Sequence, residues 1–377
     1  MRRWIGSRRI WEAAMLRIVG VVFAGLAALI ALLIVLSPVD PVAWEAPDAR
    51  ETAALCGEKA PRLAGRILAQ GLPGTPDGID IGPDGQLYAA LSSGDVARID
   101  PETGQWTLAG SAPGARLTGL AATPGGIVYA VDEVGGPLYA FDLNGPLPAR
   151  GRMVLAEVDG RKLQWTNDVT DGADGVLYLT TTSQRRTLDQ FFFEVLDHRG
   201  SGQLIRFDPK TGPAKVLANA LEMTNGLAAT ANGPLLVAQS AIYAVTAFDP
   251  ETGAQGASAG NLPGFTRNVR MSDRSGVAWV TLLSPRCGLV DSLAGWPWAR
   301  RLLAWAPSGV RPQPQPMHCV VALWSLAGDL RPQGYVVVAP QPLPSFSTAL
   351  EHRGKLYLTP AGLSGVLRGV VYVADLP

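Results

Sequence analysis

The chain has few of the residues on which short catalytic and redox motifs depend. Cys56, Cys287 and Cys319 are its three cysteines, without a Cys-x-x-Cys pair, which excludes thiolate zinc sites and thioredoxin-type chemistry. The odd count leaves room for one disulfide, Cys287 with Cys319 or Cys56 with either, suited to an oxidising compartment. Its three histidines, His198, His318 and His352, stand far apart and read as surface or satisfied structural residues, so a Ser-His-Asp hydrolase is not expected. Gly-x-Ser-x-Gly, His-Glu-x-x-His and glycine-rich phosphate loops do not occur. Neither sign of charge is in excess, with 32 basic against 32 acidic residues. No basic stripe alternates with aromatics, so nucleic acid is not an expected partner.

The first thing present is a long apolar run. Ile18 to Val39 carries no charge and would extend about 33 Å as a helix, enough to cross a hydrocarbon core. It is long for a signal-peptide core, and Ser37-Pro38-Val39 is not an Ala-x-Ala cleavage site. The expected organisation is a basic arm at 1–17, an uncleaved transmembrane anchor at 18–39, a Pro- and Ala-rich linker at 40–61 and a folded domain at 62–377. Arg2, Arg3, Arg8, Arg9 and Arg17 precede the run, and Asp40, Glu45, Asp48 and Glu51 follow it. That asymmetry predicts a single-pass protein with its N-terminus cytoplasmic and its domain on the non-cytoplasmic side.

The folded region repeats. Five loops share one register: Thr75-Pro76-Asp77-Gly78-Ile79, Leu117-Thr118-Gly119-Leu120, Thr166-Asn167-Asp168-Val169, Thr224-Asn225-Gly226-Leu227 and Thr266-Arg267-Asn268-Val269. Each is followed by an alternating run, a Gly-containing hairpin and a second strand. Three repeats then turn on Asp100-Pro101-Glu102-Thr103-Gly104, Asp208-Pro209-Lys210-Thr211-Gly212 and Asp249-Pro250-Glu251-Thr252-Gly253. A period of roughly 40–50 residues with four strands per unit is that of a propeller. Ser347–Leu358 and Val366–Asp375 supply a degraded sixth unit, and the strand near Pro61–Leu68 completes it. The expected fold is therefore all-β, a six-bladed β-propeller preceded by one transmembrane helix. Insertions near 183–200 and 284–311 have helical apolar spacing, and long insertions on such scaffolds tend to sit on the functional face.

Stacking the repeats around an axis converges the register positions Asp77, Thr118, Asn167, Asn225 and Arg267, with Asp168 and Asn268 beside them. One carboxylate with several amide carbonyls is a hard-oxygen set of the kind calcium takes. Any one such residue is explained by turn capping; four in one register point to an axial site.

The runs TNDVTDGADGVLYLTTTS, GQLIRFDPKTG, MTNGLAAT and NLPGF resemble the strictosidine synthase-like, adipocyte plasma membrane-associated protein-like family. More broadly the chain is similar to the superfamily of senescence marker protein-30, gluconolactonases and paraoxonases. The resemblance runs from about Leu68 to the C-terminus. It implies a six-bladed propeller, often with axial calcium, and ester or lactone hydrolysis in several members, with Asp77, Asn167 and Asn225 at the matching ring positions. Three departures qualify it. Asp77 stands where the family more often has Glu, and Arg267 where it commonly has Asp. Ser347 and Thr348 replace the acidic residue that strictosidine synthases use in the last blade, so amine–aldehyde condensation is not expected. A paraoxonase-type histidine pair is absent.

Two functions fit. One is a membrane-tethered hydrolase of small esters or lactones using Ca2+ or another divalent ion. There Asp77, Asn167, Asn225 and Asn268 are metal ligands and Asp168 is the general-base candidate. The other is a non-catalytic propeller that binds a small anionic ligand or a partner at its mouth, with Arg267 and Thr118 as ligand-binding residues. The side Arg267 faces decides between them: inward, it pairs with Asp77 and displaces a cation; outward, it leaves Asn268 in the ring. The second arrangement is the one expected, because Asn268 stands where the family has Asn.

Overall fold

The computed structural model describes residues 2–172, 175–231, 233–273, 276–326, 329–339, 343–361 and 369–377. Met1 of the basic arm, Ala173, Asp174, Asn232, Arg274 and Ser275 of the expected hairpins, and 366–368 of the expected last unit lie outside them.

An N-terminal helix, α1 (Arg2–Val35), is exposed over its apolar stretch Ala14–Val35 except at Leu33 and Ile34, which are half-buried. It stops before Ser37-Pro38, because proline disfavours helix for the residue ahead of it. The apolar helix is thus set four residues earlier than the charge-free run suggested, and Val39 is buried against the folded domain.

The rest is mostly β, in a propeller-like arrangement of short antiparallel meanders. β1 (Arg62–Ala69) is followed by β2 (Pro76–Ile81), β3 (Leu87–Leu91), β4 (Asp95–Ile99) and β5 (Trp106–Ser111). β6 (Leu117–Ala122), β7 (Ile127–Asp132) and β8 (Leu138–Asp142) come next; the two-residue β9 (Ala149–Arg150) lies parallel to β5, and β10 (Arg152–Leu155) pairs with β8. A small hairpin of β11 (Glu157–Val158) and β12 (Arg161–Lys162) precedes β13 (Thr166–Asp171) and β14 (Leu177–Thr181). Helix α2 (Phe191–Asp197) interrupts this sheet before β15 (Gly202–Phe207) and β16 (Ala214–Leu221). The next sheet is β17 (Thr224–Ala229), β18 (Leu235–Gln239), β19 (Ala244–Phe248) and β20 (Gln255–Ala259).

β21 (Gly264–Met271) and β22 (Val277–Pro285) are separated by α3 (Gly288–Ser292) and α4 (Pro297–Leu303) from β23 (Cys319–Leu326) and β24 (Asp329–Val338). β25 (Phe346–His352), β26 (Lys355–Pro360) and β27 (Val371–Asp375) end the chain. β1 is shared. Its first half runs parallel to β24 and its second half antiparallel to β27, which joins the last two meanders into one eight-stranded sheet.

The core is divided rather than central. Among the described residues, six apolar clusters lie between successive meanders. One of them packs Leu350, Tyr357, Val371 and Val373 from the C-terminus against Ile79, Leu87 and Ala89. The innermost strands β2, β6, β13, β17, β21 and β25 touch in that order, and β25 returns to β2. Glycines allow their close approach. A Cβ at Gly119 would collide with Asp168, and one at Gly226 with Asn268.

The segment expected as a linker is docked. Trp44 N–H donates to the Ala294 carbonyl at 3.2 Å and Val42 N–H to the Asp197 carbonyl at 2.9 Å. Cys56, in the short helical turn Ala53–Cys56, is disulfide-bonded to Cys319 on β23, one of the pairings left open, and Cys287 is the free thiol.

Candidate functional site

The start of each inner strand lies at one end of the axis. Hydroxyls stitch neighbouring starts together: Thr118 Oγ1 donates to the Asn167 carbonyl at 3.0 Å, and Thr180 and Thr281 donate likewise to Asn225 and Ser347. Thr348 and Thr359 both donate to the Asp77 carbonyl, so the last meander is joined to the first. The predicted register thus gathers at one mouth, with Ser347 as a sixth member.

Arg267 faces inward. Its Nη2 donates to Asp77 Oδ2 at 2.5 Å and its Nε to Ser347 Oγ at 2.7 Å, while Ser347 donates to Asp77 Oδ1 at 2.6 Å. Nη1 takes no hydrogen bond among the described residues, and the side chain is 12% exposed, so this corner of the guanidinium is what the mouth offers. Asn268 turns its amide nitrogen, not its oxygen, toward Asp77 Oδ1 at 3.2 Å and Thr348 Oγ1 at 2.7 Å. The expected arrangement, Arg267 outward and Asn268 Oδ1 in the ring, is corrected.

Electrostatics follow from this packing. Burial pushes the Asp77 carboxyl up, but the Arg267 charge and the hydrogen bonds from Ser347, Arg267 and Asn268 outweigh it and leave it lowered. Glu133 is buried nearby, bound to Arg116 at 3.1 Å. Burial raises its pKa, with the Asp77 charge adding to the rise and Arg267 opposing it.

These donors do not suit a divalent cation. Asp77 is already neutralised by a guanidinium, Asn268 presents N–H groups, and at about 4 Å a unit charge repels a divalent ion by roughly 8 kcal/mol at an effective dielectric of 20. The set Asp77, Asn167, Asn225 and Asn268 therefore fails as the expected metal site. Among the described residues, no group of three or more His, Cys, Asp or Glu could hold a metal.

The two other asparagines are oriented by their neighbours. Asn167 Nδ2 donates to Thr182 Oγ1 at 3.2 Å. Ser240 spends its proton on the Thr266 carbonyl, so its oxygen accepts from Asn225 Nδ2 at 2.9 Å. Asn225 Oδ1 is then a buried acceptor without a partner among the described residues. The mouth thus carries one cationic donor, and Asn225 adds a buried acceptor left unmet.

Asp168 lies deeper and is fully buried. Arg270 Nη1 donates to its Oδ2 at 2.6 Å and Nη2 to its Oδ1 at 2.9 Å, while Leu227 N–H and Val169 N–H complete its shell. A carboxylate with both oxygens taken and no solvent access is not a general base, so that expectation is corrected too. Arg270 also donates to the carbonyls of Val269 at 2.9 Å and Leu227 at 3.3 Å, forming a plug across the axis. Beyond it lies Asp80, whose pKa burial raises to about 6.

Sequence reasoning missed Arg270 and Glu133. Arg270 sits at an alternating position of β21, where a charge reads as solvent-facing; Glu133 follows β7 in a hairpin and has no register partner. Two of the histidines are structural: His198 stacks on Trp44 at 3.9 Å and His318 Nε2 meets the Leu343 carbonyl at 2.7 Å, whereas His352 Nε2 is buried without a hydrogen-bond partner among the described residues.

Both insertions roof this end. Thr166 pairs with Thr181 and Gly264 with Pro285, so α2, α3 and α4 emerge beside the strand starts. There Glu194 Oε2 accepts from Ser183 at 2.9 Å, and burial raises its pKa to about 7.

A family model described as strictosidine synthase matches residues 167–246, and one described as strictosidine synthase-like, N-terminal, matches 65–99. The longer match contains the Asn167-Asp168-Val169 and Asn225-Gly226-Leu227 blocks. The adipocyte plasma membrane-associated protein of Bos taurus is 28% identical over 64% of this chain and 61% of its own length, less than two thirds of that relative. The Rattus norvegicus protein of that name is 27% identical over 87% of this chain and 92% of its own. Among solved structures, a gluconolactonase from Xanthomonas campestris superposes with TM-score 0.53 at 16% identity, over 82% of this chain and 89% of its own. Regucalcin, a calcium-binding protein from Agrobacterium tumefaciens, gives TM-score 0.54 at 12% identity, over 84% and 97%. At these identities the structural likeness is one of fold.

Proposed function

We propose that this strictosidine synthase-like chain is a membrane-anchored, six-bladed propeller whose axial mouth binds a small anionic ligand through Arg267. The inward guanidinium, tied to Asp77 at 2.5 Å with Nη1 left open to the mouth, is the observation that carries this proposal. A carboxylate on Nη1 would gain a charge-assisted hydrogen bond in a poorly solvated corner.

Six blades are supported by the divided core and by the contact of β25 with β2. The anchor is supported by the exposed apolar stretch Ala14–Val35, with the N-terminus cytoplasmic by the arginine bias.

The competing function, calcium-dependent hydrolysis of an ester or lactone, is suggested by the fold's likeness to a gluconolactonase and to regucalcin. Full-length protein in detergent, titrated with a panel of small carboxylates and separately with CaCl2, distinguishes them by thermal shift and calorimetry. Wild type is expected to be stabilised by a carboxylate, Arg267→Gln is not, and CaCl2 has no effect. Saturable calcium binding by wild type, with turnover of an ester or lactone, replaces the proposal with the hydrolase.

A further inference from the structure

We infer that the face carrying the axial mouth lies against the bilayer entered by α1, with Leu289, Trp296, Trp298 and Trp305 in its headgroup layer. The inference rests on the anchor proposed above and adds which side of the propeller meets the lipid.

The strongest tie is between Trp305 and the anchor itself. Trp305 Nε1 donates to the Leu33 carbonyl, in the last turn of α1, at 2.8 Å. Ser37 Oγ, just past the helix, donates to the Arg301 carbonyl of α4 at 3.0 Å. Two further contacts hold the chain leaving α1 to the same roof: Arg301 pairs with Asp40 at 2.8 Å, and Arg186 Nη2 donates to the Pro38 carbonyl at 2.7 Å. The depth of α4 is thereby fixed relative to the end of the apolar helix. If Ala14–Val35 spans a hydrocarbon core, Trp305 sits at its edge.

The exposed side of the roof suits that depth. Trp296, Trp298 and Trp305 are 56%, 49% and 45% exposed, and Trp296 and Trp298 meet edge to face at 5.9 Å. No such cluster is needed for packing, since Val290, Ala294 and Ala304 already fill the roof's inner side. Indole rings favour the level where one end is apolar and the other wet. From Ser292 to Cys319 the sequence has no Asp or Glu, so no carboxylate of this stretch would have to be desolvated at the headgroup layer.

The test uses the full chain in a Cys287→Ser background, carrying a fluorophore on Trp298→Cys or, as control, on Thr211→Cys in the exposed turn at the far end of β15. Each is reconstituted into phosphatidylcholine vesicles containing lipid brominated near the headgroup. Quenching at 298 is expected to exceed that at 211 severalfold, and alkaline carbonate should leave the chain in the pellet. Retention in the pellet with equal, weak quenching at both positions overturns the inference and leaves the anchor standing. Release by carbonate overturns the anchor, and the inference with it. Cross-linking of two chains through position 298 without lipid quenching identifies the face as a protein interface and overturns the inference as well.

Discussion

Arg270 meets Asp168 end-on across the propeller axis, two guanidinium nitrogens on two carboxylate oxygens at 2.6 and 2.9 Å. The pair is buried on both sides, 8% and 0% exposed by side chain, and its charges are satisfied by each other and by strand backbone. It lies across the axis below the mouth.

Removing one partner strands the other's charge. Asp168→Asn should lower unfolding stability by about 3–5 kcal/mol, and Asp168→Asn with Arg270→Met should recover much of that loss. Denaturant titration of the single and double variants measures both. An unchanged stability in Asp168→Asn would return Asp168 to the list of functional groups.

Arg267→Asp places a second carboxylate beside Asp77, where a cation is now repelled. Calcium affinity should rise by more than about tenfold, equivalent to 1.4 kcal/mol, a small part of the Coulomb change involved. Calorimetry with CaCl2 on wild type and variant reads the difference. Equal affinities would mean that Arg267 does not exclude the ion.

Glu194 gives stability a pH dependence. Its folded pKa of about 7 lies above the unfolded value near 4.5, chiefly through burial. The folded state therefore holds the proton more tightly, and stability declines as pH rises from about 4.5 through 7. Glu194→Gln keeps an acceptor for Ser183 and removes the buried charge, so it should stabilise the protein above pH 7 by on the order of 3 kcal/mol and have little effect at pH 4. Thermal unfolding across that range checks the sign; a variant less stable than wild type at pH 8 contradicts it.

The Cys56–Cys319 bridge ties the segment after α1 to β23 across 263 residues of sequence. Cys56→Ser should cost about 2–5 kcal/mol. One thiol, Cys287, should titrate in the denatured, unreduced chain; three would show that the bridge does not form.

The inner-strand register was legible because local chemistry sets it: period-two alternation, Gly-containing hairpins and a polar residue ahead of each strand. That placed Asp77, Thr118, Asn167, Asn225 and Arg267 at one mouth. The direction of Arg267 was not legible, because it depends on Ser347 and Asp77, distant in sequence and adjacent only after closure. Arg270 was hidden for a related reason. Alternation says which face of a strand a residue occupies, but not that the face of β21 looks onto an axis instead of water. Docking of residues 40–61 escaped notice because its partners, Asp197 and Ala294, lie in insertions whose position no repeat prescribes.

The shared strand β1 also governs when the molecule can be finished. It is synthesised well before its antiparallel partner: Arg66 pairs with Val373 and Gly65 with Ala374. Until translation reaches those residues, β1 lacks its antiparallel neighbour and the first meander lacks the apolar surface of Val371 and Val373. Unpaired strand edges are templates for association with other chains, and pairing over such separations is slow. A chain synthesised only as far as β26 is therefore open-edged at β1 until Val371–Asp375 follow. A stop codon ahead of Val371 would leave it in that state.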